Sequence, residues 1–335
     1  MHMQDEQVES TKPELAVVVL NYRTPQLTVG CLETLAAERA TVPTLEVVVV
    51  DNKSGDESVA TIGAAIEERG WGGWLRLVEA PRNLGFAAGN NLAIAQVLAS
   101  DNRPRHLLLL NSDTEVHAGC LRACIDYMDE RPEVGAMSCL LLNADGSPQN
   151  TARKFPRPDR EVARALGLPW MLPALFSAAD LEDGGWDRRT EAREVDWVGG
   201  AFVMLPTRVM AEIGGLDDDF FFYGEDIVLS HEVKRKGYAV VHWPGASITH
   251  FGGGSSDPGR LPSRWRTQCV WRGRLLVQRK CYGRVAELLV QAAYLGAMLV
   301  RKVKILCRGR RGEVEDQRVS QGLSILVHPF REAVQ

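Results

Sequence analysis

Four short segments of this chain end hydrophobic runs with groups able to do chemistry: Val50-Asp51-Asn52-Lys53-Ser54, Leu110-Asn111-Ser112-Asp113, Tyr223-Gly224-Glu225-Asp226 and Ile248-Thr249-His250. The first three carry carboxylates and the fourth an imidazole. Brought together, such acids and one His suit a hard divalent cation and a diphosphate. Asp51 can accept a hydrogen bond from a ring N–H of a nucleobase, although Asp-Asn-Lys-Ser is equally good turn and helix-capping chemistry. Asp113 can hold the cation or cap a helix, and its neighbours Asn111 and Ser112 are poorer ligands. Glu225 and Asp226 follow Phe220-Phe221-Phe222-Tyr223, apolar bulk that can raise the pKa of one acid toward what a general base requires. Both acids also suit the first turn of a helix. His250 is either a ligand or a satisfied structural residue. The glycines of Gly252-Gly253-Gly254-Ser255-Ser256 permit close backbone approach to a phosphate, or a mobile lid.

The elements that must position these groups follow from patterning. Leu15–Leu20, Val47–Val50 and Leu107–Leu110 are continuous aliphatic runs, as expected of strands buried on both faces of a parallel sheet. Helical patterns lie between them: one opened by Pro25, one after Ser54 and one from Gly85 through Leu98. Strands and helices alternate to about residue 115, a doubly wound α/β pattern whose ligand site lies beyond the carboxyl ends of its strands. Ala118–Arg131 reads as a further helix and Ala136–Leu142 as a strand ending at Asp145-Gly146. Arg153–Arg193 reads as irregular, with short helices covering the mouth of the site. Thr207–Ile213 and Ile227–Lys236 read as helices closed by glycine, and Val240, Val241 and Ile248 as a last short strand or two. Gly85-Phe86-Ala87-Ala88-Gly89-Asn90-Asn91 lacks the Lys-Ser/Thr of a P-loop and the spacing of a dinucleotide fingerprint, so it reads as a helix start with Arg82 or Asn83 near the ligand.

The 335 residues, 45% apolar and 24% charged, fit an ordinary globular protein with a sizeable core. The net charge of −4 hides an asymmetry: residues 257–311 hold 14 Lys and Arg against two acids, Asp257 and Glu287, leaving 25 basic and 41 acidic residues elsewhere. That tail invites an anionic partner. Its apolar stretch Leu288–Val300, followed by Arg301, Lys302, Lys304, Arg308, Arg310 and Arg311, suits either an anionic bilayer surface or a helix packed on the body with a solvated basic face. No recognition motif for nucleic acid accompanies the charge. Seven scattered cysteines without a CxxC favour reduced thiols in the cytoplasm. Met1–Pro13 is polar and acidic, is expected to be disordered, and does not read as a signal peptide.

Taken in order, the segments resemble family 2 inverting glycosyltransferases of the GT-A fold, most closely the bacterial rhamnosyltransferase-like branch. The stretches that carry the resemblance are Val18-Val19-Leu20-Asn21-Tyr22, Val50-Asp51-Asn52-Lys53-Ser54, Asn83-Leu84-Gly85-Phe86, Leu110-Asn111-Ser112-Asp113, Asp196-Trp197-Val198-Gly199-Gly200-Ala201, Gly224-Glu225-Asp226 and His250-Phe251-Gly252-Gly253. The resemblance implies an α/β fold with a Rossmann-like, mainly parallel central sheet flanked by helices. It places the catalytic domain at 14–256, between a disordered 1–13 and a basic, largely helical extension over 257–335. It implies that Asn21, Asp51, Asn83, Asn111, Trp197 and Gly200 bind the nucleotide sugar, with Asp51 reading the base. Asp113 and His250 would hold Mg2+ or Mn2+, and Asp226, with Glu225 beside it, would be the catalytic base. Two departures stand out: Asn111 replaces the first acid of the family's DxD-type motif, and Val228 stands where related chains often carry another acid.

The implied activity moves a sugar, L-rhamnose first among the candidates, from a dTDP- or UDP-sugar to a surface-polysaccharide or lipid-linked glycan. The implied location is the cytoplasm, with peripheral contact to the inner face of the membrane. The rivals are a sugar nucleotidylyltransferase, for which Asn21-Tyr22-Arg23 is not the needed glycine-rich loop, and a non-catalytic nucleotide-sugar-binding module.

Overall fold

The computed structural model describes residues 12–172, 186–252, 263–308 and 314–329. The aliphatic runs become neighbouring strands. In chain order the elements begin β1 (Leu15–Asn21), α1 (Pro25–Glu38), β2 (Glu46–Asp51), α2 (Ser58–Glu68), β3 (Leu75–Glu79), α3 (Gly85–Ala99) and β4 (His106–Asn111). There follow β5 (Thr114–Val116), α4 (Cys120–Asp129), β6 (Val134–Leu142), β7 (Ala152–Arg153), α5 (Pro158–Ala165), α6 (Leu168–Met171), β8 (Arg193–Glu194), β9 (Trp197–Val198) and β10 (Phe202–Pro206). The chain continues through α7 (Thr207–Ile213), α8 (Glu225–Arg235), β11 (Ala239–His250), α9 (Ser263–Tyr282), α10 (Arg284–Cys307) and α11 (Val314–Val327).

Among the described residues the main sheet runs β3-β2-β1-β4-β10-β6-β11-β5, with β8 paired to β11, and β7-β9 form a separate pair. β1, β2, β3 and β4 are mutually parallel, and β6 and β11 are parallel to each other. β10 is antiparallel to both β4 and β6. The sheet is therefore mainly parallel, with β10 reversed between its halves and the short β5 and β8 antiparallel to β11. Its strands read as unbroken apolar runs because both faces are covered. Val17, Val19, Val47 and Leu108 face α1, α2 and α4, while Ala16, Val18, Val48 and Leu107 face the opposite layer with α3, α7 and α8.

Three expectations change. β3 is a strand that alternating, half-exposed Leu-Arg-Leu-Val-Glu does not announce; it closes one edge beside β2. The last strand is a single element of twelve residues, shifted in register against β6 between His242 and Ser247, so its apolar pattern looks broken. α8 starts at Glu225 rather than Ile227. Gly224 precedes it with φ +108°, and a Cβ there would meet Phe220 at 2.8 Å and Val277 at 3.0 Å.

Six of the tail's fourteen basic residues form ion pairs among the described residues. Arg279 and Arg284 hold the buried Glu287, Lys280 pairs with Asp217 and Asp219, Arg274 with Glu161, Arg301 with Glu315, and Lys302 with Asp316. α9, α10 and α11 enclose their own small core of Leu275, Val290, Tyr294 and Leu326, which α5 caps through Val162 and Ala165. Residues 1–11, Gly253–Ser256, Arg310 and Arg311, on which some expectations fell, lie outside the described residues.

Candidate active site

Asn21 and Asp51 are register partners at the carboxyl ends of β1 and β2. Asp51 is 2% exposed. Its Oδ1 accepts from Asn21 Nδ2 at 2.7 Å and from Ser54 Oγ at 2.5 Å, and its Oδ2 accepts from the Ser54 backbone N–H at 3.0 Å. Asn21 Oδ1 in turn accepts from Thr28 Oγ1 at 2.8 Å and from Thr24. The pair thus anchors the β1–α1 and β2–α2 turns, the turn chemistry that Asp-Asn-Lys-Ser offered. Asn52 extends the anchor: its Oδ1 accepts from the Leu84 N–H at 2.9 Å, and its Nδ2 donates to Asn83 Oδ1 and to the Gly85 carbonyl. Asn83 Oδ1 also accepts from the Gly85 N–H. Gly85 has φ +80°, and a Cβ there would sit 2.4 Å from the Phe221 carbonyl oxygen, which accepts from the Phe86 N–H. The loop beside Asp51 is thereby fastened to the segment leading into Glu225-Asp226.

β4 ends at Asn111, whose backbone N–H donates to the Ala201 carbonyl at 3.0 Å. Two residues on, the buried Asp113 places Oδ1 3.3 Å from His250 Nε2, at the end of β11. Asn111 Nδ2 lies 3.4 Å from the same Nε2. Gln149 holds the other side of the ring. Its Nε2 donates to the His250 carbonyl at 2.7 Å, so its Oε1 is the atom 2.8 Å from His250 Nδ1. An oxygen there requires the proton on Nδ1, and the Nε2 lone pair then points at Asp113. In the neutral ring, the Nε2 lone pair and the Asp113 carboxylate can share a cation placed between them. For metal–ligand bonds of about 2.1 Å, adjacent octahedral ligands lie about 3 Å apart. One hard oxygen and one imidazole nitrogen therefore fit Mg2+ or Mn2+, with the other positions left to a diphosphate and water. Among the described residues, Asp217, Asp218 and Asp219 also converge, but Asp218 and Asp219 are exposed and Lys280 already pairs with Asp217 and Asp219.

Glu225 and Asp226 occupy the first turn of α8. Asp226 Oδ1 accepts from the Ile227 N–H at 2.9 Å and Oδ2 from the Gly200 N–H at 3.3 Å. Burial raises its pKa to about 6, against the backbone donors and the nearby positive charge of Arg153. Burial raises Glu225 further, to about 8, with the Asp226 charge adding to it, and Glu225 Oε2 is buried without a hydrogen-bond partner among the described residues. At neutral pH this leaves Glu225 protonated and Asp226 mostly ionised, the state in which a carboxylate can take a proton. Gly200 packs between Asp226 and the Phe86 ring, both 3.8 Å from where its Cβ would be. Trp197 Nε1 donates to the Lys154 carbonyl, and Arg153 lies over the Trp197 ring.

The Glycosyltransferase like family 2 profile matches residues 13–260, about three quarters of the chain. The chain belongs to this glycosyltransferase family. An N-acetylglucosaminyl-diphospho-decaprenol L-rhamnosyltransferase of Mycobacterium tuberculosis is 27% identical over 222 residues, 64% of this chain and 68% of that protein. The Low-salt glycan biosynthesis hexosyltransferase Agl10 of Haloferax volcanii is 24% identical over 81% of this chain and 77% of its own length. Among solved structures, the mannosyltransferase PcManGT from Pyrobaculum calidifontis, in complex with GDP-Man and Mn2+, superposes with a TM-score of 0.56 at 16% identity, covering 95% of this chain and 82% of that one. S. aureus TarS 1-349 with UDP-GlcNAc gives 0.54 at 15% identity over the same shares. These likenesses establish the GT-A fold.

A chain of contacts connects the expected site residues of this glycosyltransferase. Asn21 meets Asp51; Asn52 links that end to Asn83 and, through Gly85, to Phe221; Asn111 touches both His250 and the segment holding Gly200; Gly200 touches Asp226. Trp197 sits farther along the same segment, on the β7–β9 pair. Sequence reasoning missed Gln149, Arg153 and the role of Asn52. Asn52 had a local signal in its turn motif. Gln149 and Arg153 had none, because each acts on a residue distant along the chain.

Proposed function

We propose that this glycosyltransferase is an inverting, Mg2+- or Mn2+-dependent enzyme. It moves a sugar, with L-rhamnose the leading candidate, from a dTDP- or UDP-sugar to a hydroxyl of a surface polysaccharide or a lipid-linked glycan, and works at the cytoplasmic face of the membrane carrying that acceptor. The carrying observation is that Asn111 touches both the Asp113–His250 pair and the segment whose Gly200 N–H meets Asp226. That contact supports a donor diphosphate and an acceptor hydroxyl meeting at one place. The activities of the rhamnosyltransferase relatives support the rhamnosyl donor and the lipid-linked acceptor.

Asp113 and His250 would hold the cation, which when bound would stabilise the negative charge growing on the departing diphosphate. The ionised Asp226 accepts the proton of the acceptor hydroxyl as its oxygen attacks the anomeric carbon. The new C–O bond forms as the anomeric C–O bond to the diphosphate breaks, and that electron pair leaves with the diphosphate. The Gly200 and Ile227 N–H groups aim the carboxylate, and protonated Glu225 spares it a second adjacent charge. Trp197 and Gly200 face the sugar, and Asn21, Asp51, Asn83 and Asn111 shape the nucleotide end.

The test is turnover against a panel of nucleotide sugars with and without Mn2+, beside Asp226→Asn. Transfer that requires metal and is abolished by Asp226→Asn, with nucleotide binding retained, is the expected result. Transfer by Asp226→Asn at the rate of the unaltered chain overturns the assignment of the base.

A further inference from the structure

α10 has two faces that differ in kind. Ala286, Glu287, Val290, Tyr294 and Ile305 are buried against the other helices. On the opposite side Val285, Leu288, Leu289, Leu299, Val300 and Val303 are exposed, as is Leu306, with 39% to 71% of each residue open to solvent. Exposed Ala292 and Gly296 continue that side through the middle of the helix. At 100° per residue these positions share one sector about 120° wide, and from Val285 to Leu306 it runs about 32 Å. A soluble helix presents polar residues there; scattered exposed apolar residues are ordinary, whereas a continuous stripe marks a contact surface.

Charge selects the partner. The one acid of α10, Glu287, is 1% exposed, its charge held by Arg279 and Arg284. The exposed charges of the helix are all positive; Arg284 and Lys304 flank the stripe, about 100° to either side, while Arg308 and Arg301, the latter paired with Glu315, lie toward the opposite side. A second copy laid along this stripe, in either direction, would set cations against cations. A layer of anionic headgroups over an acyl interior matches both the apolar sector and its basic ends. Among the described residues no helix is long and apolar enough to cross a membrane, so the helix lies along the surface.

We propose that the outward face of α10 docks the enzyme on an anionic phospholipid bilayer, with the helix axis parallel to the membrane. Because six of the tail's basic residues are paired within the molecule, attachment comes mainly from the apolar stripe, with the flanking cations favouring anionic lipid. The purpose of docking rests on the lipid-linked acceptor proposed above; the docking itself does not.

The experiment is flotation of the full chain with phosphatidylcholine vesicles with or without phosphatidylglycerol. The unaltered protein floats with the mixed vesicles and more weakly with phosphatidylcholine alone. Leu289→Asp and Val303→Asp each lower partitioning about tenfold or more, as expected for withdrawing one buried aliphatic side chain. Leu27→Asp, at an exposed position of α1, changes nothing, and thermal melting reports whether each variant is folded. Raised salt weakens attachment less than Val303→Asp does. An unaltered protein that stays with the soluble fraction, or stripe variants that float equally well, overturns the proposal. So does a dimer in light scattering that Val303→Asp dissociates, which would assign the stripe to a second copy. A protein that floats but transfers no sugar overturns the transferase reading and leaves docking standing.

Discussion

Two carboxylate sites border the same edge of the sheet, and they are built oppositely. At Asp51 three protein donors meet the carboxylate, two from Ser54 and one from Asn21, and the whole is sealed from water. At Glu225-Asp226, among the described residues, buried Glu225 has an Oε2 without a hydrogen-bond partner, half-buried Asp226 accepts from the Ile227 and Gly200 N–H groups, and both pKa values are raised. A buried acid with its full complement of donors holds a fold together. One left short of donors stores reactivity, because its charged form is poorly solvated and readily takes a proton. The first site gives the second a rigid frame, through Asn52, Gly85 and Phe221.

Breaking the comparison from the reactive side should have the largest effect. Asp226→Asn is expected to lower the transfer rate about 10²–10⁴-fold with no loss of folding stability, measured by steady-state kinetics beside urea unfolding. From the scaffold side, Asp51→Ala should destabilise by about 2–3 kcal/mol, since Ser54 and Asn21 lose their acceptor. A stability unchanged within error would show Asp51 to be free for a ligand rather than structural. Gln149→Leu removes both contacts that fix the His250 ring. Mn2+ binding by calorimetry, in the presence of nucleotide, should weaken about 10–100-fold, while metal-free nucleotide binding stays the same.

Acidity sharpens the contrast further. Asp226 must be ionised to act, so kcat/KM should fall as pH drops through about 6. Arg153 lowers that pKa, and Arg153→Met should move the limb to higher pH. For stability the sign is opposite to that of a salt-bridged acid. The folded protein keeps a proton on Glu225 that the unfolded chain releases, so its contribution is favourable at low pH and is lost as pH rises from about 4.5 through about 8. Glu225→Gln should therefore gain stability relative to the unaltered chain across that interval, read from urea titrations at several pH values. A flat difference would mean that Glu225 is solvated.

Strands that pack on both faces must be apolar throughout, so β1, β2 and β4, and the positions of Asn21, Asp51 and Asn111 at their ends, are legible in the sequence. The ordered segments also carried the family, whose profile covers them. β3 was not legible, because a short edge strand half open to solvent has a mixed pattern, nor was the reversed β10, since parallel and antiparallel strands share the same composition. The exposed stripe of α10 was hidden because a helix apolar on both sides looks like a buried one until its neighbours are known.

Local chemistry thus determined which residues could accept protons, hold a cation or end a strand, since those capacities belong to side-chain types and to periods of two and 3.6. Tertiary structure alone decided which acid is sated and which is left short of donors, that Gln149 orients His250, and which of the tail's cations meet an acid: Arg274 and Lys280 on the body, and Arg279, Arg284, Arg301 and Lys302 within the C-terminal helices. Hydrogen-bond satisfaction and burial depend on groups tens of residues away, and only folding brings them within reach.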